Sequence, residues 1–243
     1  MTAMTTPRVI LLMTRPEAAG RRFVAGLPGT MRERITPCYA PLMEIVPTTG
    51  PVEIGAARGL IFSSAAGVEA VADRVKARDL PCFCVGETTA QAARDAGWSR
   101  ARAVALDAEG LLARLTCDPP EGPLLHLRGA HARVPIAARL SEAGLPAREA
   151  VVYDQPERAL TDEARDHLEG ARPVLVPLFS PRSARLFAQG HAGGAPLRGL
   201  AMSPAVADVV AGLDVASLEV AGEPTGAAMR SLVAKHVETL SPC

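Results

Sequence analysis

The sequence predicts an α/β protein of two similar doubly wound parallel-sheet domains, joined by a two-segment β hinge, with one domain discontinuous in sequence. Three observations predict it. Short apolar runs, each closed by a small or hydroxyl residue and followed by a helical stretch, recur along the chain. Their spacing repeats between the middle and C-terminal blocks. Two extended segments, 35–41 and 148–156, interrupt the series and hold the only two tyrosines, Tyr39 and Tyr153.

Val9-Ile10-Leu11-Leu12-Met13 is a continuous apolar run suited to a strand buried on both faces. Thr14-Arg15-Pro16-Glu17 then opens a helix over residues 18–27, with Pro16 where a first turn tolerates it. Past the first extended segment, Gly59-Leu60-Ile61-Phe62 meets Ser63-Ser64, a serine placed to cap a helix over 65–77. Pro81-Cys82-Phe83-Cys84-Val85 runs into Gly86-Glu87-Thr88-Thr89-Ala90 and a helix that Gly97 stops. Val104-Ala105-Leu106 leads through Asp107 to a helix over 109–115. The run 123–127 leads through Arg128-Gly129 to a helix over 132–143, stopped by Gly144.

After the second extended segment come a short helix over 161–168 and a strand over 173–176. Phe179-Ser180-Pro181-Arg182-Ser183 opens the next helix, with Ser180 as cap and Pro181 at its first position. Leu200-Ala201-Met202 runs into Ser203-Pro204-Ala205-Val206-Ala207, and 215–220 runs into Gly222-Glu223-Pro224-Thr225 and a C-terminal helix.

Spacing ties the two halves together. Ser64 and Gly86 stand 22 residues apart and Ser180 and Ser203 23; Gly86 to Gly110 is 24 and Ser203 to Gly226 is 23. The unit at 9–27 resembles that at 124–143 in the same way. The simplest accounting is one domain from 1–36 plus 155–243 and an inserted domain at 42–147, with 35–41 and 148–156 as hinge strands.

Composition bounds the function. With 243 residues and 48% hydrophobic content the chain supports a real core, built mostly of Ala, Val and Leu because aromatics are only 3%. Lys and Arg number 26 against 26 Asp and Glu, which argues against a surface tuned to nucleic acid while leaving room for a local basic cleft. No apolar run approaches the ~20 residues that span a bilayer, and the N-terminus has no secretory pattern, so a cytoplasmic protein with no membrane contact is expected. The five cysteines are scattered, and no second Cys or His pair answers Cys82-x-Cys84. Reduced buried thiols and no metal site are expected.

In parallel α/β sheets the cap turns gather at the C-terminal strand ends, and two such domains on a paired hinge can turn those edges toward a common cleft. Helix N-termini there offer unpaired N–H groups and positive dipole ends. Arg15, Arg128, Arg133 and Arg182 lie in or just after these turns, which points to a polyanionic ligand.

Phe62-Ser63-Ser64 with Val68, Val85-Gly86 with Thr88-Thr89-Ala90, Leu127-Arg128-Gly129 with Arg133, the run 151–153, Phe179-Ser180-Pro181 and Glu223-Pro224-Thr225 follow one another in an order that resembles the uroporphyrinogen-III synthase family. The likeness covers nearly the whole chain and rests on that order, since each motif alone is only a strand end and a helix cap. It implies flavodoxin-like domains and a cofactor-free, monomeric enzyme that closes hydroxymethylbilane, a substrate with eight carboxylates, with loss of water and inversion of the last pyrrole ring. It leaves room for transient contact with the upstream bilane-forming enzyme. It implies Tyr153 as the catalytic residue. Substrate binding is expected from Arg15, Ser63, Ser64, Gly86, Thr88, Thr89, Arg128, Gly129, Arg133, Ser180, Pro181, Arg182 and Ser203, with Thr89 the favoured threonine. The chain departs from the family pattern at Val206, which stands where a hydroxyl is usual, and in Ala65-Ala66-Gly67, which lacks a basic side chain.

Each residue also has a plainer reading. Tyr153 fits a packing residue of the hinge, Ser64 and Ser180 fit simple caps, and the arginines fit a solvated surface. His126 and His131 read as structural, because no carboxylate or nucleophile is spaced to form a dyad with them. The alternative function is a hinged two-domain protein that binds a polyanionic small molecule without catalysis. A nucleotide-dependent enzyme is weaker, since neither G-x-G-x-x-G nor a P-loop follows any expected strand.

Overall fold

The structure is a computed structural model and describes residues 8–191 and 193–240. Contacts divide the chain into two units, residues 1–44 with 157–243, and residues 45–156.

The first unit contains strands β1 (Val9–Met13), β2 (Ile35–Tyr39), β9 (Val174–Leu178), β10 (Leu197–Ala201) and β11 (Ser217–Val220). They form one parallel sheet in the order β11-β10-β9-β1-β2. Every residue of β1 and β9 is buried, as strands covered on both faces require. Alternate side chains go to opposite layers. Ile10 and Leu12 join Phe187 of α8 (Pro181–Gly190) and Val206 and Val210 of α9 (Pro204–Val210). Val9, Leu11 and Met13 join Phe23 and Val24 of α1 (Glu17–Ala25) and Met229 and Val233 of α10 (Gly226–Leu240). The short α2 (Gly29–Arg32) leads into β2, and α7 (Asp162–Glu169) packs against β2 through Ala164 and Leu168.

The second unit contains β3 (Val46–Pro47), β4 (Gly59–Phe62), β5 (Cys82–Val85), β6 (Ala101–Ala105), β7 (Leu124–Gly129) and β8 (Ala147–Asp154). Their order is β3-β8-β7-β4-β5-β6, parallel except for β3, which runs antiparallel to β8. Leu60 and Phe62 pack on Val68 and Val71 of α3 (Ala65–Val71) and Ala90 and Ala93 of α4 (Glu87–Asp95). Ile61 and Phe83 pack on Leu111 and Leu112 of α5 (Ala108–Cys117) and Ile136 and Leu140 of α6 (Ile136–Glu142).

Numbered from β9 through β11 and then β1 and β2, the first sheet has the order 3-2-1-4-5. Numbered from β4 to β8, the second has the same order. The two units are therefore one doubly wound arrangement, and the first is its circular permutation. Flavodoxin itself has the order 2-1-3-4-5. In both units the winding reverses between strands 1 and 4, which are β9 and β1 in the first and β4 and β7 in the second.

The hinge segments sit differently from expectation. Residues 35–39 pair with β1 from Val9↔Ile35 to Met13↔Tyr39, and 147–154 pair with β7, so both are sheet strands. Pro37 does not end the pairing because β2 is an edge strand, where a sheet tolerates proline. The chain passes between units at Glu44 to Ile45 and Pro156 to Glu157. Helix α6 starts at Ile136 rather than 132, because Pro135 biases the residue before it away from helical backbone. Gly97 and Gly144 stop their helices with φ of 98° and 88°.

Trp98 anchors the second core. It is fully buried, donates Nε1–H to the Ala77 carbonyl at 3.0 Å, lies under the Arg78 guanidinium at 3.8 Å and meets Phe62 at 5.5 Å. Trp98→Ala is expected to destabilise the protein by about 3–5 kcal/mol, the usual cost of deleting a buried large aromatic. Urea denaturation followed by far-ultraviolet circular dichroism measures it.

Candidate functional site

In open α/β sheets, ligand groups converge outside the carboxyl ends of the strands where the winding reverses. In the first unit that point lies between the turns after β1 and β9. Arg15, in the first turn, lays its guanidinium 4.2 Å from the centre of the Phe179 ring in the second, and Phe179 meets Phe23 edge-on at 5.0 Å. The Arg15 Nε is buried and has no hydrogen-bond partner among the described residues. Burial, and then the nearby charge of Arg22, push Arg15 down to about 10, so it keeps its charge at neutral pH. A half-buried guanidinium with an unpaired Nε–H suits a carboxylate.

Ser180 caps α8, accepting from the Ser183 N–H at 3.1 Å, with Pro181 in the first turn. Arg182 pairs with Glu157 at 3.5 Å. Ser203 precedes α9 without a side-chain cap bond. Val206 is 1% exposed and belongs to the core, so its side chain is a packing element.

In the second unit the reversal brings together the turns after β4 and β7. Ser64 caps α3, accepting from the Ala66 N–H at 3.2 Å. On the neighbouring β8, the ladder with β7 shifts register between Arg128 and Gly129, so that Gly129 faces Tyr153 while Arg128 faces Val151. This irregularity re-aims the tyrosine. Its ring lies on Gly129 so closely that a Cβ there would stand 2.5 Å from Cζ, which requires glycine. Tyr153 is 7% exposed; burial raises its pKa, and a hydrogen bond with the Ser64 side chain partly opposes the shift. The phenol is therefore neutral at physiological pH and holds a proton it can donate.

Arg128 is committed within its own unit. It pairs with Glu149 and donates to the Gly129 carbonyl at 2.8 Å. The Arg128–Glu149 hydrogen bond holds Glu149 below the usual carboxylate range and raises Arg128. Gly86, with φ of 75°, takes a backbone conformation that favours glycine at the start of α4. Thr88 is exposed on the first turn of that helix, whereas Thr89 is turned inward at 5% exposure. Arg133 is exposed before α6 and makes no ion pair among the described residues.

One contact has no counterpart in the sequence reading. Ser63 lies 3.1 Å through its Oγ from His126 Nε2, because the β4–β7 register sets Ile61 beside His126 and carries Ser63 just beyond it. His126 is 1% exposed and its Nδ1 has no partner among the described residues. Burial, the largest cause, pushes it down to about 4. Separation along the chain hid the pair, since only strand register brings the two residues together.

Between pH 6.5 and 4 the unfolded chain protonates His126 and the folded protein does not, so stability is lost as pH falls through that window. The expected loss from this group is about 3 kcal/mol. Equilibrium unfolding measured across the window should show a flatter dependence in His126→Gln.

The family model described as uroporphyrinogen-III synthase HemD matches residues 32–231. A search of curated proteins finds no match. The solved uroporphyrinogen-III synthetase of Helicobacter pylori superposes with a TM-score of 0.65 at 16% identity, covering 94% of this chain and 99% of that one. A mutant uroporphyrinogen III synthase of Thermus thermophilus gives 0.51 at 14%, covering 95% and 99%. At such identities the superpositions establish the shared two-domain α/β fold. The family model, which spans most of the chain, establishes membership: the chain belongs to the uroporphyrinogen-III synthase family.

Proposed function

We propose that the protein cyclises hydroxymethylbilane to uroporphyrinogen III, with loss of water and inversion of the last pyrrole ring, and that Tyr153 is the proton donor. The observation that carries this is the neutral phenol of Tyr153, buried against Gly129 and bonded to Ser64 at the C-terminal edge of its sheet. Loss of the substrate's hydroxyl as water needs a proton on the departing oxygen, and the Tyr153 O–H supplies it. The azafulvene left behind is attacked within the same chain to give a spiro intermediate. Holding the chain for that attack is a matter of positioning.

Anionic side chains of the substrate suit the features each unit carries at its strand ends. Arg15 offers a desolvated guanidinium, and α3, α4 and α8 offer helix N-termini. Ser63, Ser180, Pro181, Thr88, Gly86 and Ser203 stand on these turns as binding groups. In this reading Arg128 and Arg182 organise the turns, because each is held by a glutamate of its own unit. The reading includes a cytoplasmic monomer without nucleic-acid contact. The free thiols of Cys38, Cys82, Cys84 and Cys117 agree with a reducing compartment, and the balance of 26 basic and 26 acidic residues leaves no overall basic footprint.

The test supplies hydroxymethylbilane and separates the isomers formed. Isomer III is expected, and isomer I at the rate without enzyme would reject the reading. Tyr153→Phe keeps the ring on Gly129 and removes the proton, so turnover should fall about 100-fold with isomer III still the product. Full activity in that variant, with unfolding of Tyr153→Ala, would make Tyr153 a packing residue.

For Arg15, the expectation is a selective effect on binding. Arg15→Ala should raise KM about 10-fold or more, the worth of one hydrogen bond to a charged group, with a smaller effect on kcat. Steady-state kinetics at several salt concentrations check it.

A further inference from the structure

Outside the groups assigned above, the first unit gathers three donors that no part of the proposed reaction uses. Cys38 is in β2, while Glu163 and His167 are four residues apart on α7, hence on one face of that helix. One ligand atom from each lies within 4.8 Å of the other two, and His167 Nε2 stands 3.8 Å from Glu163 Oε1. From this juxtaposition we propose that Cys38, Glu163 and His167 form a binding site for a divalent transition metal of the zinc class.

The donor set matches the chemistry. Thiolate, imidazole and carboxylate are the ordinary protein ligands of zinc, and three of them leave one position for water. Bond lengths of about 2.0–2.3 Å imply ligand-to-ligand edges near 3.3–3.7 Å in a tetrahedron, so the present spacing, within 4.8 Å, needs a contraction of at most about 1.5 Å. The freer side chains can supply it, since Glu163 is 65% exposed and His167 24%. Cys38, at 1% exposure, is the fixed point. The Cys38 thiol is pushed up to about 11 by burial and by the Glu163 charge. Beside the Glu163 carboxylate the thiol keeps its proton, and a cation between the two groups would favour the thiolate.

On binding, the sulfur–metal bond forms and the thiol proton leaves to solvent, so affinity rises with pH. The consequence is structural. Cys38 comes just before the chain leaves this unit and Glu163 just after it returns, so the metal would clip the departing strand to the returning helix.

The test is a zinc titration of the whole protein against a chromophoric chelator, with cobalt in parallel. One zinc per chain is expected, together with a thiolate-to-cobalt charge-transfer absorption. Cys38→Ala should abolish that absorption. His167→Asn, on the surface and expected to fold normally, should weaken zinc binding by more than the roughly 10-fold that losing an outer-shell partner costs. Failure of the wild type to compete for zinc, or zinc affinity unchanged in both variants, would overturn the proposal.

Discussion

Two-sided burial of parallel strands is the constraint on which the rest of this molecule depends. With β1, β4 and β9 buried along their whole length, no residue of these strands faces solvent on either side. Polar chemistry is pushed to the strand ends, where the chain turns into a helix and backbone N–H groups are unpaired. The reversal of winding separates two neighbouring turns and leaves room between them. At these strand ends the chain sets Arg15 beside Phe179 and Ser64 beside Tyr153.

The two edges are alike in topology and unlike in electrostatics. In the first unit Arg15, the cation at the reversal, has no glutamate partner among the described residues, and its ring neighbour Phe179 covers it without neutralising it. In the second, the arginine at the corresponding strand, Arg128, is neutralised by Glu149, and His126 is held uncharged by burial. Beside them stand the neutral hydroxyls of Ser63, Ser64 and Tyr153, with Arg133 exposed further along the turn. Two copies of one strand order thus carry different chemistry at their turns.

Much of this was legible in the sequence because it follows from local rules. Ser64, Asp107, Thr161, Ser180 and Thr225 all accept cap bonds from the helices they precede. Glycines at 97 and 144 end helices through positive φ, and the repeat spacing mirrors the repeated strand order. What could not be read depends on register. The pairing of Ser63 with His126, the irregularity that swings Tyr153 onto Gly129, and the membership of 35–39 in a sheet despite Pro37 are set by which residue lies opposite which. Exposure was hidden for the same reason: Thr89 and Val206 look like turn residues in the sequence but point into cores.

The circular permutation has a consequence for how the protein is made. Residues 45–156 are contiguous, so their sheet can close as soon as they leave the ribosome. Strands β1 and β2 are synthesised first yet lack their partner until Val174 appears, since Ile10 pairs with it. During that interval two strands with strongly apolar faces remain without their sheet, the condition in which nascent chains aggregate. Once folded, the inserted unit holds Val46 beside Asp154. Its own folding therefore shortens the loop that the older strands must close, and makes their late pairing entropically cheaper.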